Sequence, residues 1–452
     1  MTSTGIAASS TDQQLLPQSP LDSCAGARLS RGVLRERLRE VRALSRVLSE
    51  PLSAEDQCVQ SMPDASPTKW HLAHTTWFFE TLVLEPHAAR YRSFDPRFAY
   101  LFNSYYEALG PRHPRPQRGM LTRPSVDEVW RYREHVDAAL ERFIEKAGAQ
   151  AWERAAGTIE LGLHHEQQHQ ELLLTDVLHL LSTNPLRPAY RADGALMSAS
   201  EGAGAPRRWV RHPGGEVRVG HDAAHGFAFD NECPRHALLL RPFEIASRPV
   251  SCGEYLEFIR DGGYRRPELW LSDGWARVLA DCWSAPPYWS ALEDEVPRVF
   301  TLHGEREIDP GAPVSQLSLY EAAAYAQWAG ARLPTEFEWE AAAQAHGARF
   351  DAHRYDLCAL QPQAASADAN DTLLQMSGEV WEWTRSSYDP YPGFQPLSGI
   401  AAEYNGKFMV GQVVLRGGSC VTPPGHLRAS YRNFFPPGAR WQFSGLRLAR
   451  DA

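Results

Sequence analysis

From Leu29 to Leu186 the apolar positions recur with helical spacing. Leu34, Leu38, Val41 and Leu44 through Val47 return at intervals of three and four residues, the stripe of an amphipathic helix. Ser66-Pro67 offers an N-cap followed by proline at the first helical position, ahead of a helix over Trp70 to Leu84. A third helix is predicted from Val126 to Lys146 and a fourth from about Thr158 to Leu181. The fourth closes at Ser182-Thr183-Asn184-Pro185, because proline lacks the N–H and its ring clashes with the preceding turn. Four long helices bury their apolar faces most economically as a bundle.

The texture changes after residue 190. Arg191 to Arg207 is rich in Gly, Ala, Ser and Arg and reads as a linker. Beyond it come short strands, many Gly and Pro turns and few long periodic segments. Two helices stand out there, opened by capping boxes at Ser318-Leu319-Tyr320-Glu321 and Thr335-Glu336-Phe337-Glu338. The expected organisation is a loose tail over 1–28, a helical domain over 29–190, a linker over 191–207 and a second domain over 208–452.

Composition narrows the class. With 452 residues, 43% apolar and 22% charged, the chain has room for two or three domains with sizeable cores. A net charge of −9 leaves no overall positive field for nucleic acid or an anionic membrane, so neither is expected as a partner. Only Lys69, Lys146 and Lys407 are lysines, which leaves few candidates for Schiff-base chemistry and gives arginine nearly all the cationic work. The seven cysteines are widely spaced and contain no C-x-x-C pair, which suggests free thiols in a reducing compartment. The first 28 residues lack the basic start and apolar stretch of a signal peptide, and no apolar run approaches membrane-spanning length. The expectation is a soluble, cytoplasmic protein.

Histidines bunch in the helical part: His71 and His74, then His164, His165, His169 and His179. His165-Glu166-Gln167-Gln168-His169 sets two imidazoles at i and i+4, one helical turn apart on one face, where both reach a single ion. His71 or His74, from the helix behind Ser66, would complete the set, and spacing leaves that choice open. The same five residues match H-E-x-x-H, in which Glu166 would be the general base of a zinc protease. Against that reading, Leu172, Leu173 and Leu174 follow, and His179 continues the helix without a glycine to turn the chain back.

These segments resemble the iron-binding, DinB-like helical bundle of the ergothioneine-biosynthesis sulfoxide synthases, the EgtB family. Trp70-His71-Leu72-Ala73-His74 followed by His165-Glu166-Gln167-Gln168-His169 matches its pattern, and the match implies His74, His165 and His169 as ligands of Fe(II). The second half resembles the formylglycine-generating-enzyme (sulfatase-modifying-factor) fold, an irregular, C-type-lectin-like α+β domain. Arg332-Leu333-Pro334-Thr335-Glu336-Phe337-Glu338-Trp339, Gly378-Glu379-Val380-Trp381-Glu382-Trp383 and Arg416-Gly417-Gly418-Ser419 carry that likeness. Cys420 has no second cysteine after it, so formylglycine-generating activity itself is not expected, and the domain reads as a substrate wall.

The resemblance implies a reaction of O2, a thiol and the imidazole of hercynine, giving a carbon–sulfur bond and a sulfoxide. Phe102-Asn103-Ser104-Tyr105-Tyr106 resembles the segment that the cysteine-using branch sets beside iron, which makes Tyr105, then Tyr106, the candidate proton donors. Arg112, Arg115 and Arg118 alternate with prolines, a stiffened loop of forked donors suited to a carboxylate. By the match, Arg115 and Arg118 hold the cysteine. Hercynine's trimethylammonium calls for aromatic faces, offered by Asn433-Phe434-Phe435 and the Trp441 segment, with Gln168 as a hydrogen-bonding neighbour. The γ-glutamylcysteine-using branch carries N-W-D in place of Asn433-Phe434-Phe435 and lacks the tyrosine pair, so free cysteine is the expected donor. Two relatives remain alternatives: a selenoneine-type synthase using a selenosugar, and a 5-histidylcysteine sulfoxide synthase.

Overall fold

A computed structural model describes residues 29–192, 205–222, 226–294, 296–350, 355–366, 372–397 and 399–452. The expected tail 1–28 and most of the expected linker lie outside the described residues. Helix α1 (Arg31–Ser49) opens on Ser30, whose hydroxyl accepts from the Val33 N–H. Helix α2 (Thr68–Phe79) is buried along its whole length. It has the all-round burial of a central helix rather than a one-faced stripe. The expected run to Leu84 continues instead through a wider turn over Glu80–Leu84. Helices α3 (Val126–Lys146) and α4 (Ala149–Ser182) complete the bundle. Helix α4 begins well before Thr158, because Ala155 and Ala156 are buried and their packing outweighs the cost of Gly157, about 1 kcal/mol against alanine. At Gly162 a Cβ would meet Phe79 at 2.4 Å, so glycine is what lets α4 approach the end of α2.

One carboxylate gathers the four helices. Glu166 of α4 accepts from Arg42 Nη1 at 2.7 Å and Ser45 Oγ at 2.6 Å, both on α1, and from Arg133 Nη2 of α3 at 2.7 Å. Arg133 also donates to the Leu72 carbonyl of α2 at 2.9 Å, and Arg42 pairs with Asp137 of α3. All three charged groups are nearly inaccessible to water. The two guanidiniums and the serine overcome the burial that would raise its pKa and hold Glu166 at about 2. A residue bound this way cannot serve as the free general base that the H-E-x-x-H motif would require, which rules out the protease reading.

Among its described residues the second domain carries twelve short strands: β1 (Trp209–His212), β2 (Gly215–Val219), β3 (His236–Leu240), β4 (Phe243–Ala246), β5 (Trp289–Ser290), β6 (Arg298–Thr301), β7 (Gly304–Glu307), β8 (Trp381–Ser387), β9 (Val413–Arg416), β10 (Asn433–Phe435), β11 (Ser444–Gly445) and β12 (Ala449–Asp451). They form small sheets, the largest in the order β10-β9-β8-β11, where β11 runs parallel to β8 and the rest pair antiparallel. Both predicted capping boxes form, opening α-helices over Leu319–Trp328 and Glu336–Ala345. The tryptophan-rich motifs turn out to be core ion-pair networks. Glu336 takes Arg416 and Arg432, and Glu382 takes Arg447 and the Trp339 indole N–H. Gly418, at φ +83°, leaves room for Leu427, which a Cβ would meet at 2.4 Å.

The two halves share one continuous apolar core. Their polar seam runs along α4. Glu171 accepts from Trp381 Nε1 at 2.6 Å, Ser419 Oγ at 2.7 Å and Thr422 Oγ1 at 2.8 Å, and Gln167 donates to the Pro424 carbonyl at 2.8 Å. Among the described cysteines Cys58, Cys252, Cys282, Cys358 and Cys420 are free, but Cys233 is disulfide-bonded, which corrects the expectation of free thiols throughout. No described helix is long and apolar enough to cross a membrane.

Removing the Glu166 carboxylate takes from buried Arg133 its ion pair and leaves buried Arg42 with Asp137 alone. Glu166→Ala is expected to destabilise the helical domain by about 3–5 kcal/mol, read as a lowered urea midpoint of the helical circular-dichroism signal.

Candidate metal centre and substrate site

His74 projects from α2, and His165 and His169 from successive turns of α4. Their nitrogen atoms all lie within 4.8 Å of one another. His74 is 0% and His165 2% exposed. His74 Nδ1 lies 2.6 Å from the Phe102 carbonyl, which only accepts, so Nδ1 carries the hydrogen and Nε2 keeps a free lone pair. That Nε2 faces His165 Nε2 at 3.2 Å. Burial, then the like charge of neighbouring imidazoles, holds His74 and His169 far below the ordinary histidine range, and burial brings His165 to about 3. Neutral imidazoles converging inside the protein present lone pairs to one another, an arrangement that a cation between them relieves. The donor set therefore fits a borderline transition metal such as iron. Of the two candidates for the third ligand it is His74 that joins the group. His71 stands behind His169 instead, its Nδ1 2.8 Å from His169 Nδ1.

Aromatic rings enclose the triad. Trp70 stacks on His74 with centroids 4.6 Å apart, Trp77 lies 5.4 Å from His74 on its other side, and Phe78 is 4.6 Å from His165. The Arg118 guanidinium sits 3.4 Å over the centroid of Trp70, donating to Ser66 Oγ at 2.9 Å and Ser104 Oγ at 3.2 Å. Ser66 thus serves Arg118 rather than capping α2, whose N-cap is Pro67. Arg118 is 3% exposed, makes no ion pair among the described residues, and its Nε has no partner there. Burial, then the like charges of Arg115 and Arg112, lower its pKa, and the more distant charge of Asp176 offsets this only in part. Arg115 does not share this position: it is exposed and donates to the Asp64 carbonyl, while Arg112 pairs with Glu107.

Tyr105 and Tyr106 stack on each other at 4.6 Å, and Tyr106 lies 5.6 Å from Trp77. Tyr106 is 0% exposed, its hydroxyl interacts with that of Tyr105, and the Trp77 indole N–H has no hydrogen-bond partner among the described residues. Burial pushes both phenols upward, so each keeps its proton at neutral pH. The second domain grips this loop. Glu403 accepts from the Glu107 and Ala108 N–H groups, and the Phe408 ring meets Tyr105 edge-on at 5.1 Å. Phe434 stacks on Tyr388 at 4.1 Å and lies 5.9 Å from Phe408. Asn433 Oδ1 accepts the Phe434 N–H, and Phe435 meets Trp441 edge-on at 6.0 Å. Gln168 bridges two tyrosines of the second domain, donating to Tyr431 at 2.7 Å and accepting from Tyr404.

Sequence reasoning missed Asp176, Tyr404 and Glu171. Asp176 accepts from His71 Nε2 at 3.0 Å and Ser66 N at 2.8 Å, and Tyr404 lies 5.8 Å from His165. A signal for Asp176 existed, since it falls seven residues after His169 on the same helix face. Nothing in the local pattern marks Tyr404, which reaches the triad across the domain boundary.

Comparison with known proteins accords with this two-part architecture. Residues 37–173 match the DinB superfamily, and residues 196–452 match the sulfatase-modifying factor enzyme 1-like domain. The hercynine oxygenase of Mycolicibacterium thermoresistibile is 35% identical over 416 residues, covering 86% of this chain and 88% of that protein. That of Mycobacterium tuberculosis is 32% identical over 415 residues, covering 87% and 93%. That of Mycolicibacterium smegmatis is 37% identical over 316 residues, covering 64% and 71%. At this identity and coverage, with both domains matched, the chain belongs to the hercynine oxygenase family.

Proposed function

We propose that this chain joins the sulfur of cysteine to C2 of the hercynine imidazole, with O2, to give hercynylcysteine sulfoxide. The observation that carries the reading is Arg118, a buried guanidinium that makes no ion pair among the described residues, one indole ring away from three converging neutral histidines. An uncompensated buried charge is costly. A planar fork of donors matches the carboxylate of an amino-acid thiol. Exposed Arg115 takes the lesser part, at the rim of the same subsite.

His74, His165 and His169 would hold Fe(II), which when bound supplies the redox capacity toward O2 that zinc lacks. In the overall reaction one C–H and one S–H bond break, one C–S and one S–O bond form, and O2 accepts four electrons and leaves its second oxygen in water. The stacked phenols of Tyr105 and Tyr106, both buried and both holding their protons at neutral pH, supply the proton to that departing oxygen. Asn433, Phe434 and Phe435, together with Gln168, form the hercynine wall, aromatic faces receiving the trimethylammonium that cannot donate a hydrogen bond. The tyrosine pair and the absence of an N-W-D segment favour free cysteine over γ-glutamylcysteine. In this reading residues 29–190 bind iron, 208–452 close the substrate pocket, 191–207 connect them, and the enzyme works in the cytoplasm on small molecules.

Anaerobic Fe(II) reconstitution followed by mass spectrometry tests the proposal, with hercynine offered alongside cysteine, γ-glutamylcysteine or a selenosugar. The sulfoxide adduct with cysteine is expected. An adduct with another donor would move the chain to a neighbouring branch, and no adduct with any donor would overturn the reading. Arg118→Ala should raise the KM for cysteine roughly 10- to 100-fold, the worth of a charged hydrogen-bonded pair, while the KM for hercynine moves little. Tyr106→Phe should shift turnover from the adduct toward O2-dependent oxidation of the thiol alone, measured as the ratio of the two products.

A further inference from the structure

Behind the ligand His169 stands a chain of hydrogen bonds that the proposed reaction does not use. Asp176, on the same face of α4 two turns further on, is buried. Its carboxylate accepts from the Ser66 backbone N–H at 2.8 Å, from His71 Nε2 at 3.0 Å and, across the domain boundary, from the Trp441 indole N–H at 3.3 Å. Each of these three partners is a nitrogen that donates, since a carboxylate only accepts. In neutral His71 the hydrogen therefore sits on Nε2. His71 Nδ1 presents its lone pair to His169 Nδ1 at 2.8 Å, and that contact is a hydrogen bond only if His169 carries its own hydrogen on Nδ1. Nε2 of His169 is then left with a lone pair. His74 reaches the same state by a shorter route, through the Phe102 carbonyl.

We infer that Asp176 and His71 are positioning residues that set the tautomer of His169, so that its Nε2 is a ready metal donor before any ion arrives. Trp441 ties the second domain into this chain by holding the far oxygen of Asp176. The inference rests on the reading of the triad as a metal site, and it assigns a role to His71 other than ligation. Outer partners of ligating histidines ordinarily contribute about 10- to 100-fold in metal affinity.

Metal binding alone, without substrates or turnover, tests it. Fe(II) is titrated anaerobically into the metal-free full-length chain and its variants by calorimetry, and Co(II) is added separately to record the visible spectrum of the site. Asp176→Leu removes the acceptor that holds the hydrogen of His71 on Nε2, and His71→Leu removes the acceptor facing His169. Each should weaken Fe(II) binding about 10- to 100-fold and alter the Co(II) spectrum, with thermal unfolding run in parallel to confirm that the variants fold. His71→Asn is the discriminating variant, because its amide oxygen occupies the place of Nδ1 and keeps the acceptor. It should bind Fe(II) within about threefold of the parent. If Asp176→Leu and His71→Leu bind as tightly as the parent, or if His71→Asn is as weak as His71→Leu, the inference fails while the metal site stands. A parent chain that binds no Fe(II) would overturn both.

Discussion

The carboxylate of Glu166 is the constraint on which the helical domain depends. Two arginines and a serine from two other helices close on it, and the same arginines reach the backbone and hydroxyls of α2. Ion pairs this deeply buried are poor sources of net stability, because desolvation offsets most of the attraction. What this one does is orient. An α-helix advances about 100° per residue, so with Glu166 locked toward α1 and α3, the faces of α4 are assigned. His165, His169 and Asp176 must look at α2. Gln170 turns toward α1, where it donates to the Val41 carbonyl, and His164, Gln167 and Glu171 turn toward the second domain.

That division explains how a single long helix can be a metal scaffold, a core element and a domain interface at once. The interface is polar but saturated: Glu171 has no arginine or lysine against it and is satisfied by an indole and two hydroxyls. Burial raises its pKa while those three donors pull it down, so its charge is held by geometry instead of by a counterion. The donors belong to the tryptophan-rich and double-glycine motifs of the second domain. Those motifs therefore serve the core of their own fold and, at Trp381, Ser419 and Thr422, the seam with the first.

The candidate site lies where these surfaces meet, and its parts differ in what they lack. The neutral histidines turn their nitrogens toward one another, and among the described residues Arg118 makes no ion pair and the Trp77 indole N–H finds no acceptor. In the core of the second domain, by contrast, buried ion pairs are closed, as at Glu336 with Arg416 and Arg432 or Glu382 with Arg447. Unsatisfied polar groups of different chemical kinds gathered around one histidine triad are the mark of a place built for ligands rather than for stability.

Much of this was legible in the chain itself. Periodicity and capping residues placed the helices, since both depend on neighbours three or four positions away, and the i, i+4 spacing placed His165 and His169 on one face. The ordered motifs carried the family and, through it, His74 over His71. Local spacing could not decide what depends on partners far along the chain. The role of Glu166 hung on Arg42 and Arg133, the inward turn of Arg118 but not Arg115 hung on Ser66 and Ser104, and Asp176 and Tyr404 joined the site only once α4 and the second domain had packed. The chain by itself determined which residues were chemically able to bind metal and anion, because that is a property of side chains and short spacing. Only the tertiary structure decided which of them are buried without a partner, because desolvation is set by everything packed around a group and not by the group itself.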